Sequence, residues 1–335
     1  MEERLRWRDA FLTKVSVIVP TYNYARFLPD ALESLRAQTF GDWECIVVDD
    51  GSTDETPAVV GAAAANDGRV RCVFQANRGP SAARNRGVAE SAGDYIQFLD
   101  ADDVLPPAKL EAQIRLLETD PSIGIVYSDT RYFQDSATRL LSYVVPGPRP
   151  SSTPDERSSD PFLRALIDHN IMAVEGPLIR RSVLTTVGPF EVDLVRMEDW
   201  QYWLRCSLAG IRFLGDSAAE TAVRVRVHGD STTRNLLAMH ASELGVRRWL
   251  AAHLDDQDLR HLNEVRTSET LARIGVMEGR AGRLRVGIGH LLRAGIAERR
   301  LDWLAAACVL PLVRMPGCDQ VLALRRRLLR KPRVW

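Results

Sequence analysis

Short apolar runs alternate with amphipathic segments through the first half of the chain. Runs of apolar residues, several of them β-branched, predict buried strands at residues 15–20, 44–49, 70–74, 95–99 and 123–127. The segments between them predict helices at residues 27–38, 81–92 and 107–118. Because continuous apolar strands that alternate with helices are typical of sheets covered on both faces, we predict an α/β fold with a mostly parallel central sheet.

The pattern changes in the second half. Residues 146–161 are rich in proline, serine and charge, which predicts a loop. Strand and helix signals then return as far as His228, and from Ala238 onward alanine, leucine and arginine dominate. We therefore predict an α/β domain over residues 1–237 and a helical C-terminal region over residues 238–335, with one or two helical hairpins within residues 267–292.

Composition and charge exclude several classes of protein. The 335 residues are 45% hydrophobic and 26% charged, as in an ordinary globular protein. The 44 basic and 44 acidic residues give a net charge of zero, so we expect no nucleic-acid partner. Five scattered cysteines without Cys-x-x-Cys spacing argue against a disulfide framework and a zinc site. With no signal-peptide pattern and no apolar run long enough to span a bilayer, these features predict a cytoplasmic protein.

The last fourteen residues have a charge pattern of their own. Residues 322–335 contain six basic and no acidic side chains, interleaved with Leu324, Leu328 and Leu329. Such a tail is either a solvated end or a segment that binds an anionic surface. We keep both alternatives, and the second predicts peripheral association with the inner face of the cytoplasmic membrane.

Polar clusters follow three of the predicted strands. They are residues 21–23, Asp49 with Asp50, and Asp100 with Asp102. Ligands of open α/β sheets bind beyond the carboxyl ends of the strands, so these clusters are expected to share one crevice. Two carboxylates separated by one residue suit a hard divalent cation, although an acidic surface turn has the same pattern.

Five stretches in order resemble the motifs of the family 2 glycosyltransferases. They are residues 15–23, 47–54, 77–79, 83–85 and 98–103, and the resemblance extends over residues 14–228. It implies the GT-A fold of nucleotide-diphospho-sugar transferases, here with a C-terminal helical extension. It also implies an inverting enzyme that transfers a sugar from a nucleotide-diphosphate sugar to a hydroxyl of a glycan or lipid-linked glycan.

The resemblance assigns the donor-binding residues position by position. Pro20 and Tyr22 would hold the nucleobase, and Asp50 would accept a hydrogen bond from a ring N–H of the base. A carboxylate that only accepts favours uracil or thymine over cytosine, so a UDP-sugar is the first choice of donor, ahead of dTDP- or GDP-sugars. Asp100 would bind the ribose hydroxyls. Arg84 and Asn85 would position the backbone near the diphosphate or have only a packing role at the start of their helix.

The resemblance also implies a metal and a base. Asp102 would ligate Mn²⁺ or Mg²⁺ at the diphosphate, and His228 matches a histidine that some relatives place near the metal. A structural role for His228 is the alternative, whereas an imidazole ligand would favour manganese. Asp199, within the pair Glu198–Asp199, would be the general base that removes the proton of the acceptor hydroxyl. The same pair would also stabilise the first turn of a helix, and the nearby Trp200 and Trp203 are expected in the core rather than against a sugar.

Other functions explain the motifs less well. A nucleotidyltransferase typically has a glycine-rich loop with a lysine after its first strand, whereas residues 22–26 here read Tyr-Asn-Tyr-Ala-Arg. A dinucleotide dehydrogenase would need Gly-x-Gly-x-x-Gly after a strand, which the sequence lacks. A degenerate transferase that acts as a nucleotide-sugar sensor or scaffold remains as the alternative. Such a protein would not need these four carboxylates together: Asp50, Asp100, Asp102 and Asp199.

Overall fold

The structure is a computed structural model that describes residues 15–134, 140–145, 161–229 and 235–309. The chain divides into two compact units, Met1–Ser231 and Thr232–Trp335. The tail at 322–335 and nearly all of the loop predicted at 146–161 lie outside the described residues.

The first unit contains the strands. They are β1 Val15–Thr21, β2 Trp43–Asp49, β3 Val70–Phe74, β4 Tyr95–Phe98, β5 Ile123–Ser128, β6 Thr130–Phe133, β7 Leu140–Val145, β8 Pro177–Arg180, β9 Arg212–Asp216 and β10 Val223–Arg226. Seven of them form the main sheet in the order β3-β2-β1-β4-β8-β5-β9. β8 is antiparallel to both of its neighbours, and the other pairs are parallel. The predicted mostly parallel sheet is therefore confirmed.

The predicted polar clusters follow neighbouring strands. β2, β1 and β4 lie side by side, with Thr21 paired to Asp49 and Ile18 paired to Phe98. Beyond these pairs the backbone N–H of Asp50 donates to the carbonyl of Thr21 at 2.9 Å. The segments that carry chemistry therefore leave the sheet at the same edge.

Helices cover this sheet, and one of them approaches it very closely. The helices of the first unit are α1 Leu28–Arg36, α2 Thr56–Asn66, α3 Pro80–Glu90, α4 Lys109–Thr119, α5 Pro161–Asp168, α6 Arg181–Val187 and α7 Glu198–Leu208. A Cβ atom on Gly87 of α3 would lie 2.2 Å from Cγ2 of Ile18 in β1. The glycine lets α3 sit against the strand, which holds the first turns of the helix close to the strand ends.

A second, smaller sheet lies beside the turn that follows β4. Its strand order is β10-β6-β7, and an isolated bridge pairs Val104 with Arg224 of β10. Arg226 at the end of β10 donates its backbone N–H to Oδ1 of Asp103 at 2.7 Å, and its Nη2 donates to Oδ2 of Asp30 in α1 at 2.7 Å. Through Arg226, these bonds tie the acidic turn, residues 100–103, to α1.

The second unit is helical over residues 235–309, as expected. Its helices are α8 Leu236–Ala251, α9 Gln257–Arg280, α10 Leu284–Ala297 and α11 Leu301–Val309. α9 and α10 form a tight hairpin, because a Cβ on Gly275 would lie only 2.8 Å from the carbonyl oxygen of Gly287. No helix among the described residues has the length and apolar character needed to cross a membrane.

Candidate active site

The acidic turn after β4 begins the site. The Asp100 side chain is about one third exposed, whereas the Asp102 side chain is mostly buried, with its Oδ2 2.8 Å from Nε2 of His228. The His228 ring packs against Phe27, with ring centroids 4.6 Å apart. Burial, together with the negative charge of Asp100, raises the pKa of Asp102 above its ordinary value. The structure thus brings together the two residues predicted to hold a metal.

The last residue of this turn and a glutamate from a distant segment supply two further carboxyl groups. Asp103 and Glu175 are both buried and hydrogen-bond to each other. Burial and the neighbouring Glu175 raise the pKa of Asp103 well above its ordinary value, and burial and the charge of Asp100 raise the pKa of Glu175 to about 8. Oxygens of Asp100, Asp103 and Glu175 all lie within 4.8 Å of one another. Three carboxylate groups with oxygens this close together fit a hard divalent cation such as Mn²⁺ or Mg²⁺.

Arg84 joins this turn to α7. Its side chain is 3% exposed, Nη2 donates to Oδ1 of Asp100 at 2.8 Å and Nη1 donates to Oε1 of Glu198 at 2.7 Å. Burial alone would lower the pKa of this guanidinium, but the two carboxylates outweigh it and raise that pKa. Arg84 is therefore a buried cation that is shared between the acidic turn and the first residue of α7.

Asp199 follows Glu198 in the first turn of α7. Its Oδ1 accepts the backbone N–H of Trp200 at 2.7 Å, and its Oδ2 accepts Nδ2 of Asn170 at 3.0 Å. Burial, and then the charge of Glu198, raise the pKa of Asp199 to about 7. Trp200 and Trp203 are fully buried, which confirms their expected place in the core. A carboxylate with a pKa near 7 has the proton affinity that suits a general base.

The other end of the site lies where β1 and β2 end. Pro20 is buried within β1, and the Tyr22 side chain just beyond the strand is 45% exposed. Asp50 is buried and accepts three hydrogen bonds: from Nε2 of Gln75 at 2.7 Å, and from the backbone N–H groups of Arg78 and Gly79 at 2.8 Å each. Asp50 therefore fixes the segment that leads into α3. A carboxylate has about four acceptor positions, and these bonds occupy three of them.

Some residues of the site carry no signal that distinguishes them in the sequence. Glu175 is a lone glutamate before a short strand, and Asp103 is a third carboxylate beside Asp100 and Asp102 that the motif does not distinguish. Arg226 reads as an ordinary strand arginine. Only their burial and their contacts across long sequence separations identify them.

Solved structures share this fold. TarS of Staphylococcus aureus, solved with UDP-GlcNAc, superposes with a TM-score of 0.61 at 19% identity, covering 93% of this chain and 89% of that one. The mannosyltransferase PcManGT of Pyrobaculum calidifontis, solved with GDP-Man and Mn²⁺, superposes with a TM-score of 0.56 at 19% identity. The match covers 99% of this chain and 94% of that one. The expected GT-A fold is confirmed.

Sequence comparison identifies the family. An uncharacterised glycosyltransferase of Nostoc is 34% identical over 64% of this chain, and the match spans 65% of that relative, just under two thirds of its length. Two other relatives, from Rickettsia felis and Rickettsia bellii, are longer, and the match spans only 19% and 30% of their own lengths. An uncharacterised glycosyltransferase of Rickettsia typhi is 30% identical over 69% of both chains. The family model described as glycosyl transferase family 2 matches residues 16–178. The chain belongs to glycosyl transferase family 2.

Proposed function

We propose that this protein is a metal-dependent, inverting glycosyltransferase. It takes a sugar from a nucleotide-diphosphate sugar, with a UDP-sugar as the first choice, and attaches it to a hydroxyl of a glycan or lipid-linked glycan. The observation that carries the proposal is the double ion pair of Arg84, because it joins Asp100 of the donor side to the helix that starts with Glu198 and Asp199. The structural neighbours solved with UDP-GlcNAc and with GDP-Man support a nucleotide-sugar donor.

Residues that follow β1 and β2 support the donor-binding part of the proposal. The exposed ring of Tyr22 offers a face for a nucleobase, and the remaining acceptor position of Asp50 suits the ring N–H of uracil. Asp100 is exposed enough to accept hydrogen bonds from ribose hydroxyls while Arg84 keeps its other face occupied.

Asp102 and His228 would hold the cation, with the oxygens of Asp100, Asp103 and Glu175 close by. A bound Mn²⁺ or Mg²⁺ would supply Lewis-acid stabilisation of the negative charge that collects on the leaving diphosphate. The imidazole of His228 favours manganese over magnesium. The neighbour solved with Mn²⁺ agrees with this choice.

Asp199 performs the proton transfer. As the acceptor oxygen forms its bond to the anomeric carbon, the bond from that carbon to the diphosphate breaks and its electron pair leaves with the diphosphate. The proton of the acceptor hydroxyl moves to the carboxylate of Asp199. Since the oxygen attacks opposite the leaving group in a single displacement, the anomeric configuration inverts.

A release assay tests this function. Wild type, Asp102→Ala and Asp199→Asn are incubated with UDP-sugars, Mn²⁺ and candidate acceptors, and free UDP and the configuration of the product are measured. We expect turnover by the wild type only, with inversion. Equal activity in all three proteins would refute the catalytic proposal, and UDP binding by the wild type without turnover on any acceptor would favour the sensor instead.

The membrane association of the tail is a separate part of the proposal. The six basic residues within 322–335 and their interleaved leucines support binding to anionic lipid at the inner face of the cytoplasmic membrane. Deleting residues 322–335 is expected to reduce binding to anionic liposomes at low salt. Unchanged binding would leave the tail as a solvated end.

A further inference from the structure

Asn85, the neighbour of Arg84 on α3, makes two hydrogen bonds to one distant backbone residue. Its Nδ2 donates to the carbonyl of Phe190 at 2.8 Å, and its Oδ1 accepts the backbone N–H of Phe190 at 2.8 Å. One side-chain amide thus satisfies both polar groups of a residue 105 positions away. Such a reciprocal pair fixes the position and the orientation of the backbone there.

The side chain of Phe190 is held as firmly as its backbone. It is buried and stacks on Tyr202 of α7, with ring centroids 4.2 Å apart and an angle of 13° between the rings. It also meets Phe98 of β4 edge to face at 5.1 Å. Phe190 therefore lies between the strand that leads into the acidic turn and the helix that begins with Glu198.

The segment from Phe190 to Glu198 is anchored by α3 at both ends. Asn85 holds Phe190 and Arg84 holds Glu198, while Val192 and Val195 between them are exposed. Met197 ends the segment with a left-handed backbone, at a φ of 63°. An exposed stretch with a left-handed residue directly before a helix depends on its ends for its conformation.

We propose that Asn85 is a positioning residue for Asp199. Together with Arg84 it forms a two-point clamp, defined here as the contacts of Asn85 with Phe190 and of Arg84 with Glu198. The clamp fixes the start of α7 relative to the acidic turn and so sets where the Asp199 carboxylate meets the acceptor hydroxyl. The inference rests on the proposed function, in which Asp199 is the base.

The clamp also controls how well water reaches Asp199. The groups that face this carboxylate are Glu198, Arg84, Asn170 and the backbone N–H of Trp200. If Phe190 is released, the start of α7 loosens and Asp199 becomes better hydrated. Since burial is the main cause of its high pKa, that pKa then falls from about 7 towards the ordinary aspartate value.

Two variants of Asn85 test the clamp. Asn85→Ala removes both hydrogen bonds, and the isosteric Asn85→Asp keeps the acceptor but loses the donor to the Phe190 carbonyl. We expect kcat for sugar transfer to fall by about 10–100-fold in both, because a base misplaced by roughly 1 Å loses about that much. The KM for the donor should stay within about twofold, since the donor residues are untouched. The acidic limb of the kcat–pH profile should move to lower pH.

Arg86→Ala is the matched control. Arg86 is the next residue on the same helix, is exposed, and pairs with Glu90 one turn further along that helix. It should leave kcat, KM and the pH profile unchanged. UDP binding and the thermal midpoint identify any variant that fails to fold, and if Asn85→Ala fails to fold, the isosteric Asn85→Asp decides.

The outcomes separate this inference from the proposed function. If Asp199→Asn keeps wild-type kcat, Asp199 is not the base, and that part of the proposed function fails before the clamp is tested. If Asp199→Asn is inactive but the Asn85 variants keep their kcat, or change KM alone, the clamp is refuted. A lower kcat with an unmoved acidic limb also refutes it, because Asn85 would then be a structural residue only.

Discussion

Nε2 of His228 lies 2.8 Å from Oδ2 of Asp102, although 126 residues separate the two. Tyr24 and Phe27 line the imidazole, with ring centroids 5.9 Å and 4.6 Å from it. The ring therefore cannot turn freely, and its nitrogen faces the carboxylate. A divalent cation that took both Nε2 of His228 and Oδ2 of Asp102 as ligands would replace this hydrogen bond.

Removing His228 is expected to weaken binding of the metal rather than binding of the nucleotide. In His228→Ala the Mn²⁺ concentration for half-maximal activity should rise by about 10–100-fold, the usual loss when a metal site loses a supporting group. UDP binding measured with saturating Mn²⁺ should change little. The exposed His261, in the second unit, gives the control His261→Ala. An unchanged Mn²⁺ requirement in His228→Ala would show that the histidine is structural.

The pH dependence of sugar transfer should follow the protonation of the Asp199 carboxylate. Its pKa of about 7 means that the carboxylate is protonated at lower pH and cannot take the hydroxyl proton. We expect kcat to rise with pH up to about 7 and then level off. Asp199→Asn should lower kcat by about 10²–10⁴-fold with little change in donor KM. A wild-type kcat that is flat between pH 5.5 and 8 would contradict the assignment.

We expect Asp50 to discriminate between the nucleobases of possible donors. If its remaining acceptor position meets a ring N–H, UDP should compete with the donor better than CDP, because cytosine presents a lone pair at that place. Gln75→Ala removes one of the hydrogen bonds that orient Asp50 and is expected to weaken UDP binding by up to about tenfold, the value of one hydrogen bond. Inhibition constants for UDP and CDP on wild type and variant measure both effects. Equal inhibition by UDP and CDP would show that Asp50 does not recognise the nucleobase.

The sequence predicted the strands of the site well, because each is a short buried run followed by polar residues. It did not indicate α2, since Thr56–Asn66 is mostly alanine and valine without an apolar face at helical spacing. The antiparallel direction of β8 was also missed, because a buried strand reads the same in either direction.

The long-range contacts that organise the site could not be predicted from the sequence. Arg84 and Glu198 are 114 residues apart, and Asp103 meets Arg226 across 123 residues. Nothing local marks such partners, because each pairing arises only when the strands and helices are packed. The motifs therefore indicate which residues belong to the site, whereas only the tertiary structure shows which residues they contact.

Close packing of α3 on the sheet gives a stability prediction. Gly87→Ala would place its Cβ 2.2 Å from Cγ2 of Ile18, a buried side chain of β1 that has no room to move. We expect a loss of about 1–3 kcal/mol in the free energy of unfolding. Gly61→Ala on α2 is the control, since nothing lies within 4 Å of its Cβ, and it should gain up to about 1 kcal/mol. Similar effects of the two substitutions in urea denaturation would contradict the tight packing of α3.

Lys109 is a buried amine beneath the site. Its Nζ donates to Oε1 of Gln97 at 2.7 Å and to Oε1 of Gln113 at 2.6 Å. Burial lowers its pKa to about 7, although Asp216 and Glu175 partly oppose that change. Between pH 7 and about 10 the folded protein therefore binds fewer protons at this amine than the unfolded chain does. In that range the amine adds to stability as pH rises, by roughly 1.4 kcal/mol per pH unit.

Comparison with Lys109→Met isolates this effect from the other titrating groups. The difference in the free energy of unfolding between wild type and Lys109→Met should grow in favour of the wild type from pH 7 to 10. Below pH 7 it should be constant, because the amine is then protonated in both the folded and the unfolded state. Arg115→Ala, an exposed change on the same helix, should give a difference that does not vary with pH. Parallel stability curves for wild type and Lys109→Met would mean that the amine keeps its ordinary pKa and would contradict the effect of burial on it.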